Sequence, residues 1–218
     1  QAATLRGMDI LQNMGCDIHV CSEFKNYKDK WVNCDHFRLN PYYEPGDEEE
    51  GEREWEIVPI YDDRNYALFA TLADVRNYGG TTPISEERGL PDDVHPLTKK
   101  MSDYWGTDGH THSYYTLKEL LDYMDTSPTV TYSGMITKEQ AKDLDEFNIY
   151  PDSWCQWTSN ESFVKRSWTV PDNNLDYLIQ AMKKRCAEVF WIWDGAKDYE
   201  TRIRKVADKF RIVFWFDN

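Results

Sequence analysis

Four polar side chains stand at alternate positions near the start of the chain: Asp17, His19, Cys21 and Glu23. Read as a strand, 17–24 turns these four to one face, about 6.5–7 Å apart, and Ile18, Val20 and Phe24 to the other. A carboxylate and an imidazole two residues apart on a twisted strand can turn toward one divalent ion. Further along, Asp108-Gly109-His110-Thr111-His112-Ser113 offers two imidazoles with a carboxylate two residues upstream. The glycine there lets the backbone fold so that both rings face one centre. Together the two clusters predict a divalent metal site, zinc being the natural ion, with Asp17, His19, His110 and His112 as ligands. Such a set keeps a position for water, whose pKa falls toward about 7 on a catalytic zinc. Glu23 or Asp108 is the expected base. The same residues also read as a polar strand surface and a solvated loop.

Arginine supplies a second kind of chemistry. Arg64-Asn65, Arg76-Asn77 and Arg88-Gly89 put guanidinium groups at the ends of elements. A planar fork grips a carboxylate or phosphate in two bonds. Facing the histidines, Arg64, Asn65, Arg76 and Arg88 would bind a phosphorylated or otherwise anionic substrate. The alternative is pairing within the chain, with Asp62, Asp63, Asp74 or Asp92. A GxSxG elbow, a Walker loop, a GxGxxG turn and an HExxH helix are all missing. Cys16 and Cys21 are poor nucleophiles beside His19, because neighbouring strand residues point apart.

Hydrophobic period places these residues on elements. After the strand at 17–24, a second run at 30–35 completes a hairpin. The stretch 41–56 is a loop with an acidic knot, Asp47-Glu48-Glu49-Glu50-Gly51-Glu52, which self-repulsion keeps solvated. A strand at 55–61 precedes a helix at 65–77, stopped by Gly79-Gly80. The segment 81–113, broken by four prolines and glycines in its first half alone and holding three of the five histidines, reads as a long, ordered, functional loop. Thr116 with Glu119 and Thr137 with Gln140 are spaced as capping boxes for helices at 116–124 and 138–147. A loop and short strand at 151–168, a helix at 171–185, a strand at 187–193, a helix at 196–209 and a buried strand at 211–216 follow. Trp154, Trp157, Trp168, Trp191 and Trp193 are expected in packing, since no basic residues interleave with them. Residues 1–13 read as a leader or arm outside the fold, with Met14 as the natural initiator. The remainder, 14–218, reads as one α+β domain with a mixed or antiparallel sheet, an N-terminal hairpin, several packed helices and a buried C-terminal strand.

Composition bounds what such a fold does. Thirty-nine acidic against 25 basic residues give a formal net charge of −14, the wrong sign for a nucleic-acid binder. Aromatics at 15% predict a packed core rather than a disordered acidic chain. No apolar run approaches the roughly 20 residues of a membrane helix. Five cysteines without a CxxC pair point to a reducing cytoplasm.

Several stretches also recur together: Met14-Gly15-Cys16-Asp17-Ile18-His19, Arg64-Asn65-Tyr66 with Leu68-Phe69, Asp74-Val75-Arg76-Asn77, Ile84-Ser85-Glu86 with Arg88-Gly89-Leu90-Pro91-Asp92-Asp93, His110-Thr111-His112-Ser113, and Arg211-Ile212-Val213-Phe214-Trp215-Phe216-Asp217-Asn218. The combination resembles a family of uncharacterised phage and bacterial proteins that begin Met-Gly-Cys-Asp-Ile-His. The resemblance spans 14–218, implies a phage or mobile-element setting in the host cytoplasm, and brings no activity with it. Three functions remain open at this level. One is a metal-dependent hydrolase of a phosphorylated or anionic small molecule, with a metal-bound hydroxide attacking and arginine offsetting the developing charge. The second is a non-catalytic protein that sequesters a nucleotide. The third is an acidic phage protein that binds and inhibits a basic host factor through its acidic stretch.

Overall fold

The computed structural model describes residues 15–46 and 54–218. The chain is α+β. The expected leader at 1–13 and the acidic knot at 47–52 lie outside the described residues.

The organising element is the last strand, β8 (Phe210–Asp217). Its residues are apolar at nearly every position and all but Asp217 are buried, which suits a strand covered on both faces. β1 (Asp17–Lys25) runs antiparallel beside it, in register from Asp17 opposite Asp217 to Phe24 opposite Phe210. β2 (Trp31–Asn33) returns along β1 through a tight turn. There Asn26 Oδ1 accepts from the backbone of Lys28 and Lys30, and Asp29 takes a positive φ. β5 (His110–Thr116) closes the other side, giving the antiparallel order β2-β1-β8-β5.

One face of this sheet carries Ile18, Val20, Ile212, Phe214 and Phe216. Against it pack Leu68, Phe69 and Leu72 of α1 (Tyr66–Ala73), Leu117, Leu120 and Leu121 of α3 (Leu117–Asp125), Leu178, Ile179 and Met182 of α5 (Asp176–Val189), and Ile203 of α6 (Tyr199–Val206). The opposite face carries His19, Cys21, Glu23, Arg211 and Trp215, and α2 (Pro96–Tyr104) lies over part of it, with Met101 Sδ 3.9 Å from Cys21 Sγ. Two ribbons stand apart from the main sheet. β3 (His36–Leu39) pairs with β4 (Trp55–Val58), and β6 (Thr129–Thr137) pairs with β7 (Phe163–Pro171). The second ribbon folds with α4 (Lys138–Phe147) around its own core of Ile136, Ala141 and Trp168, with Tyr132, Leu144 and Trp154 packed on.

Both expected capping boxes form, Thr116 with Glu119 on α3 and Thr137 with Gln140 on α4. Other expectations need correction. The segment 81–113 is not irregular throughout. Pro96 occupies the first helical position of α2, where its missing N–H costs nothing, and His95 Nδ1 accepts from Leu97 N as the cap. α1 ends at Asp74, whose φ of 60° closes the helix before Gly79 is reached. The apolar run at 187–193 is no strand. It completes α5 and then a Schellman turn, with Trp191 at φ 56° donating to Glu188 and Ile192 donating to Ala187. Trp191 is left 92% exposed, and Trp157 and Trp193 are exposed too, so only Trp154 and Trp168 of that group are packed. Among the described residues, no helix is long and apolar enough to cross a membrane.

Candidate functional site

On the sheet face beneath α2, four rings form a column: Trp105, His19, Trp215 and His112. Centroids are 3.9 Å apart for Trp105 and His19, 5.8 Å for His19 and Trp215, and 6.0 Å for Trp215 and His112, with successive planes inclined by 30°, 26° and 19°. Strand pairing produces the column. His19 lies directly opposite Trp215, cross-strand partners share a face, and Trp105, the C-cap of α2, comes down on His19 from above. His19 Nε2 lies 3.3 Å from Asp217 Oδ2. The two atoms are close but misaligned, so Nε2 makes no hydrogen bond; Trp215 Nε1 is likewise buried without one.

The expected metal ligands are divided by the backbone. His110 is paired with Phe216 and Ser113 with Phe214, so Thr111 and His112 together oppose Trp215 in a β-bulge. Thr111, at φ 52°, breaks the period-two alternation. His112 therefore joins the Trp215 face, where burial pushes its imidazole pKa down. His110 stacks instead on Phe216, at 6.2 Å, on the face that looks into the main core, with Nδ1 at 2.9 Å from Thr111 Oγ1. Asp17 gives both oxygens to Arg64, at 2.8 Å from Nε and 2.6 Å from Nη2. The guanidinium beside Asp17 holds its carboxyl below the usual carboxylate range. Among the described residues, no group of three or more His, Cys, Asp or Glu side chains is placed to hold a metal ion.

The two expected bases stand elsewhere. Glu23 is 0% exposed. One of its oxygens accepts from His95 N at 2.9 Å, and the other from Arg211 Nε at 2.9 Å. That network ties β1, β8 and the start of α2 together. Asp108 is exposed in the turn after α2, its N–H donating to Trp105 O.

Nor do the arginines assemble an anion clamp. Arg64 is committed to Asp17, Arg76 Nη2 donates to Asn218 Oδ1 at 3.0 Å, and Arg88 Nη1 donates to Glu119 Oε1 at 2.7 Å while its plane lies over Tyr115. Asn65 is the cap of α1, its Oδ1 accepting from Ala67 N and Leu68 N.

What surrounds the ring column is a cleft of about 820 Å³ between the sheet, α2 and the β3–β4 ribbon. Trp215 and His19 contribute from the sheet, Leu97, Lys100, Met101, Tyr104 and Trp105 from the α2 segment, and Phe37, Trp55 and Ile57 from the ribbon. Register puts Phe37 beside Ile57 and Leu39 beside Trp55, so the ribbon turns one apolar face. Phe37, Trp55 and Tyr104 remain 43%, 51% and 62% exposed, an unusual amount of aromatic surface to leave in water at one place. Of the residues singled out in the sequence, Asp17, His19 and Cys21 line this cleft. Sequence reasoning missed Trp215, Asp217, Trp55 and Phe37. Trp215 and Asp217 continue the alternation Arg211, Val213, Trp215, Asp217, but only pairing with β1 reveals which residues they meet. Trp55 sits at the edge of an acidic stretch, where an exposed tryptophan is itself a signal.

Cys21 also lines the cleft, yet burial drives its thiol well above the ordinary value, which removes the thiolate a nucleophile needs. Chemically, then, the site offers flat apolar walls, one imidazole with a carboxylate neighbour, and little fixed charge. No protein-family model, curated protein or solved structure matches the chain.

Proposed function

We propose that this chain is a small-molecule binding protein that seats a flat ring system in the cleft above β1 and β8. The observation that supports this reading is the concentration of Trp55, Tyr104, Trp105, Trp215, Phe37 and His19 around one cleft of about 820 Å³. That volume lies within the usual range of about 300–1,000 Å³ for ligand sites, which are walled mostly by apolar and aromatic groups. An offset stack of two rings contributes about 0.5–1.5 kcal/mol beyond the area it buries, so two or three such walls add about 1–4.5 kcal/mol to the burial of the ring.

Hydrolysis is the second reading, favoured by the 3.3 Å approach of His19 Nε2 to Asp217 Oδ2. A carboxylate hydrogen-bonded to one ring nitrogen orients an imidazole for proton transfer at the other, so this reading requires the misaligned Nε2 and Oδ2 to come into that bond when substrate binds. The two readings separate in one experiment. Quenching of intrinsic tryptophan fluorescence and thermal shift are followed against a panel of nucleosides and bicyclic heterocycles, with product formation measured in parallel. Saturable binding without turnover, weakened about tenfold by Trp55→Ala, is the expected result. Turnover abolished by His19→Gln would establish the hydrolytic reading, and a panel without any ligand would remove the binding one.

A further inference from the structure

The charges around the cleft narrow the ligand further, on the reading just given that the cleft binds a flat ring. Among the described residues, Asp17, Glu56 and Asp62 line it, against one cation, Lys100. Arg64 occupies both oxygens of Asp17, and Arg38 Nε holds one oxygen of Glu56 at 2.6 Å. Asp62 is exposed and makes no ion pair among the described residues. A ligand with a phosphate or carboxylate would find only Lys100 to receive it, in a chain of net charge −14. A cation meets the opposite conditions. The faces of Trp, Tyr and Phe carry the negative end of the ring quadrupole and attract positive charge. The field of a strongly acidic molecule adds to that attraction, most of all at low salt. Lys100 opposes it from the exposed side of α2, where water and salt screen an ammonium on a flexible stem.

We infer that the ligand of this cleft is a flat heteroaromatic cation, its ring received among the exposed Trp55, Tyr104 and Phe37 and its charge offset by the open carboxylate of Asp62. The open carboxylate of Asp62 and the field of a chain of net charge −14 supply the preference for positive over neutral, and the rings supply the affinity common to both.

Three isosteric probes test this: 1-methylnicotinamide, which is cationic, nicotinamide, which is neutral, and nicotinate, which is anionic. Dissociation constants are measured by tryptophan quenching and calorimetry on the full chain, at low salt and at high salt. The cation is expected to bind roughly tenfold more tightly than the neutral amide, and the anion most weakly. High salt and Asp62→Asn should each shrink the advantage of the cation while leaving the affinity for the amide unchanged. Equal or tighter binding of the neutral amide or of nicotinate overturns the charge assignment and leaves the ring-binding reading standing. An advantage that survives both Asp62→Asn and high salt also overturns it. Failure of all three probes together with the wider heterocycle panel overturns both.

Discussion

Arg64 commits both arms of its guanidinium to Asp17, and the backbone is shaped to allow it: a Cβ on Gly15 would stand 2.6 Å from Arg64 Nη1. Two residues with the types of a metal ligand and an anion clamp thus satisfy each other at the mouth of the cleft. The pairing has a consequence for acid stability. Asp17 ionises at lower pH in the folded chain than in the unfolded one, because Arg64 stabilises its charged form. The contribution is therefore present above the ordinary carboxylate range and is lost as pH falls through the depressed folded value. Both side chains are about half exposed, which keeps the effect small. In urea melts, Arg64→Gln should be slightly less stable than the parent at neutral pH, and the difference should shrink as pH falls below the ordinary carboxylate range. A difference that persists or grows in acid would show that the pair does not act through the charge of Asp17.

At the scale of elements, the β-bulge decides more than any residue in it. Straight pairing through 110–113 would send His110 and His112 to one face, as a period of two requires. The extra residue and the positive φ of Thr111 separate them, one onto Phe216 and the other onto Trp215. The adjoining helix start is held by a different device. Glu119 accepts from Thr116 N with one carboxylate oxygen and from Arg88 with the other, while Thr116 Oγ1 accepts from Glu119 N. Thr116→Ala removes a cap, and loss of a threonine cap costs about 1 kcal/mol. The free energy from urea unfolding should fall by that amount through a lower midpoint with its slope unchanged, and an unaltered midpoint would mean that Arg88 alone secures the helix start.

Across the whole molecule, two cores divide the work. The main sheet and its helices bury Phe210, Ile212, Phe214 and Phe216 completely. The β6–β7 ribbon and α4 enclose a much smaller cluster around Trp168. Such units open at lower free energy than a central sheet. Trp168→Ala should increase amide exchange across 129–171 and leave β8 protected. Uniform loss of protection in both would show that the ribbon and the main sheet unfold as one unit. The cleft is walled by the main sheet, α2 and the β3–β4 ribbon and by no residue of 129–171, so ligand binding should survive the same variant.

Much of this was legible in the residues themselves. The alternation at 17–24, the apolar run at 211–216 and the two threonine boxes each report a local period or a local hydrogen bond, and such signals do not depend on distant chain. The α+β class follows from them. Strand β3 and helix α2 were hidden by prolines, glycines and charge, which mark turns and helix starts alike, whereas β4 falls within the strand expected at 55–61. The position of the site was beyond reach for a different reason. His19 and Trp215 are separated by 196 residues and become neighbours only when the first and last strands pair, and His110 leaves the site only because a bulge turns it away. Sequence by itself determined the strands at 17–24 and 211–216, the two boxed helices and the excess negative charge, since these depend on neighbours along the chain. Tertiary structure alone decided which partners the arginines take, that the histidines split between two faces and that Trp55, Trp105 and Trp215 gather around one cleft. Those outcomes depend on register and crossing of elements, which the free energy of the whole core selects.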